Sequence, residues 1–265
     1  MLSVALVVVA LLAVLLFIKY GLLQKELLNK NQQIEALKRQ GSDFVANVSH
    51  ELKTPLTSIK GYTETLRSVI TRDPEKAIEF LTKIEENSER LSLLITDILE
   101  LSRIEQPNFY LEKHSFKVSP LLEEIKERFT YALSSRKQVL TIQCQVESIR
   151  GDRWLIDQAI SNLVENSHRY SPEEAVIEIS VTNTNENGKP YIQFQVSDNG
   201  PGIKPGDIPR IFERFYRADK SRNRLSGGTG LGLAIAKHIM LSHNGHIRVE
   251  SELGRGAHFF LLFPK

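Results

Sequence analysis

VANVSHELKTPLTSIKGY occupies residues 45–62. On an ideal helix, at about 100° per residue, Leu52, Leu56 and Ile59 fall at about 40°, 80° and 20° from Val48. Those four positions make one apolar stripe. His50 falls at about 200°, on the opposite face, with Thr54 one turn beyond it. The segment therefore presents an imidazole to solvent on a rigid helix, near a hydroxyl and next in sequence to the Glu51 carboxylate. A neutral imidazole is a competent nucleophile near pH 7. An adjacent carboxylate can hold its tautomer and take up its proton. Pro55 removes one backbone hydrogen bond and can bend the helix just past the histidine. Periodicity supplies position and not chemistry; alone, an exposed histidine is an ordinary surface residue.

Upstream, Leu23, Leu27, Ile34, Leu37, Phe44 and Val48 keep a 4-3 spacing, with Lys30 and Gly41 at the weak heptad positions. That is a short coiled-coil seam leading to a parallel dimer; the competing reading is one amphipathic helix packing on its own domain. Further upstream, residues 1–18 are apolar apart from Ser3. As a helix they span roughly 27 Å, close to the hydrocarbon thickness of a bilayer. A secretory signal peptide is the rival reading, but no basic region precedes the run and Phe17-Ile18-Lys19-Tyr20 is a poor cleavage site. Lys19, Lys25, Lys30, Lys38 and Arg39 follow, so the expectation is a single-pass anchor in membrane lipid with the bulk of the chain cytoplasmic.

Downstream, the helix is expected to run to about Val69. Asp73-Pro74-Glu75 then starts another, with an N-cap acid, proline at the first helical position and acid in the first turn. Its stripe is Ala77, Leu81, Ile84, Leu91, Ile95, Ile98 and Leu101. One helical hairpin cannot cover both stripes; two hairpins make a four-helix bundle. From His114 the pattern becomes mixed. Helices are expected over 118–134, 153–170 with Asp152 as cap, 205–215 and 230–242. Strands are expected over 139–146, 176–184, 191–196, 246–251 and 257–263. Strand hairpins alternating with helices imply a two-layer α/β sandwich. The domain plan is thus a transmembrane helix (1–20), a coiled-coil linker (21–43), the helical hairpin (44–106), a hinge at Pro107-Asn108 (107–113) and the sandwich (114–265).

Three segments of the sandwich carry chemistry. NLVENSHRY (162–170) places Asn162 and Asn166 four apart on one helix face, where amide oxygens suit a magnesium ion already carrying phosphate oxygens and waters. Arg169, one turn past Asn166, can reach a phosphate. DNGPGI (198–203) ends a strand with a carboxylate able to accept from an exocyclic amine, and Gly200 and Gly202 allow close backbone approach. GGTGLGLAI (227–235) opens a helix with backbone N–H groups fit for an anion. It is neither a Walker loop nor a dinucleotide fingerprint. Singly, these also read as a polar helix face, a tight turn and a glycine cluster.

Ser49-His50-Glu51-Leu52-Lys53-Thr54-Pro55-Leu56 resembles the phosphoacceptor box of two-component histidine kinases. The three later segments, in this order, resemble the N, G1 and G2 boxes of the ATP-binding domain of that family, and IFERFYR (211–217) looks like its F box. That domain belongs to the wider GHKL group shared with gyrase, Hsp90-type chaperones and MutL. The resemblance covers roughly residues 44–264. It implies a dimer of hairpins joined to an α/β sandwich of the Bergerat type, with a lid over about 218–226. It further implies that His50 accepts the γ-phosphoryl group of ATP, Glu51 assists, and Thr54 helps hydrolyse a phosphorylated partner. Asp198 would bind the adenine amine. Asn166, with Asn162, would hold Mg²⁺. Arg169, Tyr170, Arg217 and the turn of Gly228, Thr229, Gly230, Leu231 and Gly232 would face the phosphates. The implied partners are a second copy of the chain and a cytoplasmic response regulator. Lys53 replaces the more frequent arginine, and Ser167 stands where alanine is usual.

Composition adds boundaries. The 265 residues are 41% apolar and 25% charged with a net charge of +2, which gives no basic excess for a nucleic-acid partner. The single cysteine, Cys144, lies in an alternating strand pattern and is expected in the core; alone it can form no disulfide within the chain. A clamp-type ATPase of the same superfamily places a glutamate base where this chain has Asn162, and an amide cannot deprotonate water. A scaffold without kinase activity is the non-enzyme alternative, and the intact boxes argue against it; Thr54 permits a phosphatase-dominated enzyme. No extracellular loop, HAMP pattern or PAS-like domain fits between Ile18 and Phe44. The chain is therefore either part of a longer kinase or a short one that senses in the membrane or through a partner.

Overall fold

The computed structural model describes residues 2–106, 108–218 and 228–265, with side chains from residue 19 onward except at 29, 33, 36, 37, 39 and 40. The expected lid beyond Ala218 and the hinge residue Pro107 lie outside the described residues, as do the side chains of the apolar run at 1–18. Among the described residues no helix is long and apolar enough to cross a membrane. The chain forms two compact units, residues 1–54 and 55–265.

Helix α1 (Leu2–Val69) supplies all of the first unit. Leu23, Leu27 and Ile34 of the expected seam each keep about half their surface exposed. A helix carrying an uncovered leucine seam has nothing of its own in that unit to bury it.

In the second unit, the end of α1 and helix α2 (Pro74–Ile104) form the predicted hairpin, with Tyr62 and Phe80 in ring contact at 5.6 Å. Asp73 caps α2 by accepting the Lys76 N–H at 3.1 Å, with Pro74 at the first helical position. Ala77, Leu94, Leu101 and Ile104 are buried, whereas Leu56, Leu81 and Ile95 are exposed. The predicted stripes are thus covered only in part within one chain.

The sandwich comprises β1 (His114–Lys117), α3 (Val118–Ser135), β2 (Val139–Cys144), β3 (Ser148–Gly151), α4 (Arg153–Tyr170), β4 (Val176–Glu186), β5 (Lys189–Asp198), α5 (Gly232–Ser242), β6 (His246–Ser251) and β7 (Ala257–Pro264). Five strands form one sheet in the order β2-β4-β5-β7-β6, antiparallel except for the β2–β4 pair. The three helices pack on it. Ile177, Ile179 and Val181 of β4 alternate inward, as do Ile192, Phe194 and Val196 of β5. Strand β7 lies inside the sheet and reads Phe259 to Phe263 as a continuous apolar run, all of it buried. On the face away from Phe259, the Arg248 guanidinium covers the Phe260 ring at 4.2 Å.

Three expectations need correction. The strand over 139–146 ends at Cys144, and Ser148–Gly151 leaves to pair antiparallel with β1 in a separate two-stranded sheet. Cys144 is half-buried at that strand end rather than in the core, its thiol donating to the Val146 carbonyl. Residues 205–215 form consecutive turns and no helix. Pro209 has no N–H to continue a helical ladder, and the bonds present are mostly of the three-residue kind, such as Arg210 N–H to the Asp207 carbonyl and Glu213 N–H to the Arg210 carbonyl.

Phe194 is fully buried at the sheet centre with its ring edge-on to Phe263 at 5.6 Å. Phe194→Ala is expected to lower stability by about 3–5 kcal/mol in urea unfolding. A loss under about 1 kcal/mol would place the stabilising core of the sandwich elsewhere.

Candidate functional site

Two separate sets of residues carry the predicted chemistry. On α1, the His50 side chain is 77% exposed and Glu51 26% exposed, with the Glu51 Oε1 atom 3.6 Å from His50 Nδ1. The Thr54 hydroxyl donates back to the His50 carbonyl at 3.1 Å, the usual resting bond of a helical threonine. The imidazole therefore keeps open access to solvent, as the periodicity requires. The carboxylate lies beside the ring, just beyond direct hydrogen-bond distance.

The second set converges on helix α4. Asp152 starts that helix, accepting the Leu155 N–H at 3.3 Å. The Asp152 N–H in turn donates to His243 Nε2 at 3.0 Å, while His243 Nδ1 donates to the Ile239 carbonyl at 2.9 Å. This fixes one neutral tautomer, and burial lowers the His243 pKa, in keeping with that assignment. Leu155, Ile156, Ala159, Ile160, Leu163, Val164 and Ser167 form the buried face of α4. Gln158, Asn162, Asn166 and Arg169 follow one shoulder of it.

The last turn of α4 leaves carbonyls without intrahelical partners. Two side chains from before β2 converge there. Arg136 and Gln138 donate to the His168 carbonyl at 2.6 and 3.2 Å, and just beyond the helix Arg136 takes the Ser171 carbonyl at 2.9 Å and Gln138 the Pro172 carbonyl at 2.8 Å. The Gln138 side-chain oxygen accepts from His168 Nδ1 at 2.6 Å. His168 is held neutral chiefly by burial, helped by the nearby Arg136 and Arg169 charges. The turn that bears Asn166, Arg169 and Tyr170 is therefore anchored from outside the helix.

Around this turn the structure brings most predicted residues together. Asn162 donates to the Gly232 carbonyl at 3.1 Å, linking α4 to the start of α5. The Thr229 hydroxyl accepts the Leu231 N–H at 3.2 Å. The Phe215 N–H donates to the Gly230 carbonyl at 2.9 Å, so the F-box and G2-box segments meet. Arg169 pairs with Glu165 and lies where a side chain on Gly228 would stand. Asp198 ends β5 and accepts from Ser167 and from the Gly200 N–H, both at 3.0 Å. Gly202 has φ +70° and sits against the Glu252 carbonyl, closer than any Cβ permits. The G1 turn is pinned to the β6–β7 turn by Gly254 N–H to the Pro201 carbonyl at 2.7 Å. Asn166 is half-buried and Tyr170 exposed on α4, and Arg217 is half-buried just before the residues that are not described. The amide pair, the carboxylate and the glycine-lined start of α5 suit Mg²⁺, an amino-purine and phosphate oxygens in turn.

Sequence reasoning missed the acids that α2 sets against this region. Asp97 accepts from the Thr229 hydroxyl at 2.5 Å. Burial is the main cause that raises its pKa, with Glu165 adding and the Thr229 bond and Arg169 opposing. Glu105 pairs with Arg214 and, at 3.0 Å, with His238. Glu100 accepts from the Gln158 amide. Gln158 lies one turn before Asn162 on the same shoulder, a spacing that could have drawn notice; the acids of α2 carry no comparable signal.

Two domain families match the chain. One is described as the His Kinase A (phospho-acceptor) domain, over residues 40–107, and the other as the histidine kinase-, DNA gyrase B- and HSP90-like ATPase, over residues 151–265. The sensor-like histidine kinase SenX3 of Mycolicibacterium smegmatis is 37% identical over 238 residues, which is 89% of this chain and 60% of that protein. The sensor protein kinase WalK of Staphylococcus epidermidis is 36% identical over 235 residues, 89% of this chain and 38% of that protein. The chain thus spans less than two thirds of each of these relatives. Among solved structures, full-length ShkA in complex with AMPPNP is similar with a TM-score of 0.61 and 25% identity, over 84% of this chain and 45% of that one.

Glu100 yields a pH prediction. Its pKa is pushed up to about 7, first by burial and then by the Asp97 charge, with Arg103 opposing. Glu100 Oε1 and Gln158 Oε1 are both buried acceptors without a hydrogen-bond partner among the described residues. A protonated Glu100 supplies the hydroxyl that such a pair lacks. The folded state holds this proton more tightly than the unfolded chain does. Its stabilisation is therefore complete below about pH 4.5 and lost as the pH rises through about 7. His168, His238 and His243, lowered by burial, act in the opposite sense, stabilising more as the pH rises through 6.5. The difference between parent and Glu100→Gln isolates the Glu100 effect. Glu100→Gln is expected to lose less thermal stability than the parent between about pH 5 and 8; parallel melting profiles would exclude a proton on Glu100.

Proposed function

Because the chain belongs to the family of two-component sensor histidine kinases, we propose that it binds Mg-ATP, phosphorylates itself on His50 and passes the phosphoryl group to an aspartate of a response regulator. The observation that carries this reading is the exposed His50 imidazole with the Glu51 carboxylate at 3.6 Å, in a chain that also supplies a separate amide, carboxylate and glycine-turn cluster. An imidazole nitrogen attacks the γ-phosphorus as the bond to the β-phosphate oxygen breaks, and the electron pair leaves with ADP. The proton on the other ring nitrogen passes to Glu51. Asn166 and Asn162 would hold Mg²⁺, which when bound would supply charge neutralisation at the phosphates. Asp198 takes the adenine amine, and Arg169, Tyr170, Arg217 and the turn from Gly228 to Gly232 face the phosphates. The fixed Asn162 amide, in the position where a clamp-type ATPase keeps a glutamate, favours phosphoryl transfer over water activation.

The uncovered Leu23, Leu27, Ile34, Leu56, Leu81 and Ile95 surfaces support a homodimer built on α1 and the hairpin. Thr54, one turn past His50, supports hydrolysis of the phosphorylated regulator as a second activity. The apolar run at residues 1–18, followed by lysines, supports a single-pass membrane anchor with the catalytic part in the cytoplasm.

Incubation with γ-labelled ATP and Mg²⁺ tests the reading. The parent is expected to take up acid-labile, base-stable label. His50→Gln abolishes it, and Asn166→Ala lowers its rate by about tenfold or more. Label retained in full by His50→Gln would sink the assignment of the acceptor.

A further inference from the structure

Asp198 is held by two elements at once. Its Oδ1 atom accepts the Gly200 N–H at 3.0 Å, and its Oδ2 atom accepts the Ser167 hydroxyl of α4 at 3.0 Å. Ser167 is 1% exposed, so its hydroxyl has no bulk water to turn to. One turn on, the Ser171 hydroxyl is equally buried and has no hydrogen-bond partner among the described residues. Ser171 Oγ and Asp198 Oδ1 converge on one small space. A Cβ added at Gly200 would stand 2.9 Å from the first and 2.8 Å from the second. The carboxylate therefore sits in a tight polar recess kept open by glycine, with its rotation restrained from both oxygens.

We propose that Ser167 is a positioning residue that fixes Asp198 to read the six-position of a purine, selecting an amino over an oxo nucleotide. The proposal rests on the reading of Asp198 as the adenine contact. A carboxylate offers about four lone-pair directions. Two are committed to Ser167 and Gly200, which leaves the remaining ones aimed in a fixed direction. An exocyclic amine donates into that direction. The oxo group of hypoxanthine or guanine sets acceptor against acceptor. Ser167 cannot relieve this clash, because its single O–H is spent on Oδ2. Where alanine stands at this position, the carboxylate keeps only the Gly200 tether, and its preference weakens with its restraint. The effect is one of preorganisation, so it falls on nucleotide binding and not on the rate of phosphoryl transfer.

The test is equilibrium binding of Mg-ADP and Mg-IDP to the whole chain and to Ser167→Ala, Ser167→Cys and Asp198→Asn. Ser167→Ala is expected to weaken ADP about five- to tenfold and IDP by less than about twofold, so the ratio between them falls. The KM for ATP in self-phosphorylation rises with the ADP loss while kcat holds. Ser167→Cys keeps a donor on the same Cβ, weaker and somewhat bulkier, and falls between parent and alanine, which also covers the case in which the alanine variant folds poorly. An unchanged ADP-to-IDP ratio in both Ser167 variants overturns the proposal, whether affinity drops for both nucleotides or for neither. Asp198→Asn binding ADP as tightly as the parent would instead overturn the adenine reading on which it rests.

Discussion

Helix α4 does two incompatible things on one cylinder, and the site depends on how it reconciles them. Its inner face, from Leu155 to Ser167, is buried against the sheet and its neighbouring helices. Its shoulder carries the amides of Asn162 and Asn166 and the Arg169 guanidinium, the groups proposed to meet a ligand. A helical period lets both faces coexist only if the helix neither rolls nor frays. Rolling is opposed by the buried face and by the Asn162 bond to Gly232. Fraying is opposed at both ends, by Asp152 with His243 at the start and by Arg136 with Gln138 at the finish. Each of those bonds joins segments thirty or more residues apart, so the rigidity of the site comes from tertiary structure and not from helix propensity.

That is also why the sequence discloses the site unevenly. Asn162, Asn166 and Arg169 are spaced by the helix itself, and Asp73 and Asp152 announce their helices by type and position, so local rules suffice. Asn187 and Gly188 both adopt positive φ between β4 and β5, as an Asn-Gly hairpin turn requires. By contrast, the pairing of β1 with β3 joins residues more than thirty apart in two four-residue strands, too short to show a period. The turns over 205–215 carry apolar residues at helix-like intervals, and only Pro209 signals that the ladder fails. Arg136, Gln138 and Ser167 are ordinary polar residues until the fold sets them against carbonyls and a carboxylate.

The apolar surfaces divide along functional lines. The sandwich encloses a continuous core, with Phe194, Phe259 and Leu261 fully buried, although Tyr131, Trp154 and Leu241 remain on its surface. The helical segments do not: Leu27, Leu56, Leu81 and Ile95 stay exposed in one chain. Water tolerates single exposed leucines, but repeated ones at helical spacing mark a surface that association covers. The sandwich thus encloses a core of its own, whereas the helical segments leave apolar stripes that the proposed homodimer would cover.

Between them, α2 meets the sandwich through acids. Asp97, Glu100 and Glu105 reach Thr229, Gln158, Arg214 and His238. Removing carboxylates from water is costly, and only part of that cost returns through their partners. The raised pKa values of Asp97 and Glu100 express the same penalty. An apolar interface of equal extent would hold more firmly. A phosphotransfer enzyme of the proposed kind needs its nucleotide-binding half to leave one arrangement and reach another. An interface built on partly compensated charge suits such a movement better than an apolar one of equal extent. The Thr229 contact ties this interface to the glycine turn. If that turn takes a phosphate, as proposed, the added negative charge would stand beside Asp97 and disfavour the interface that buries it.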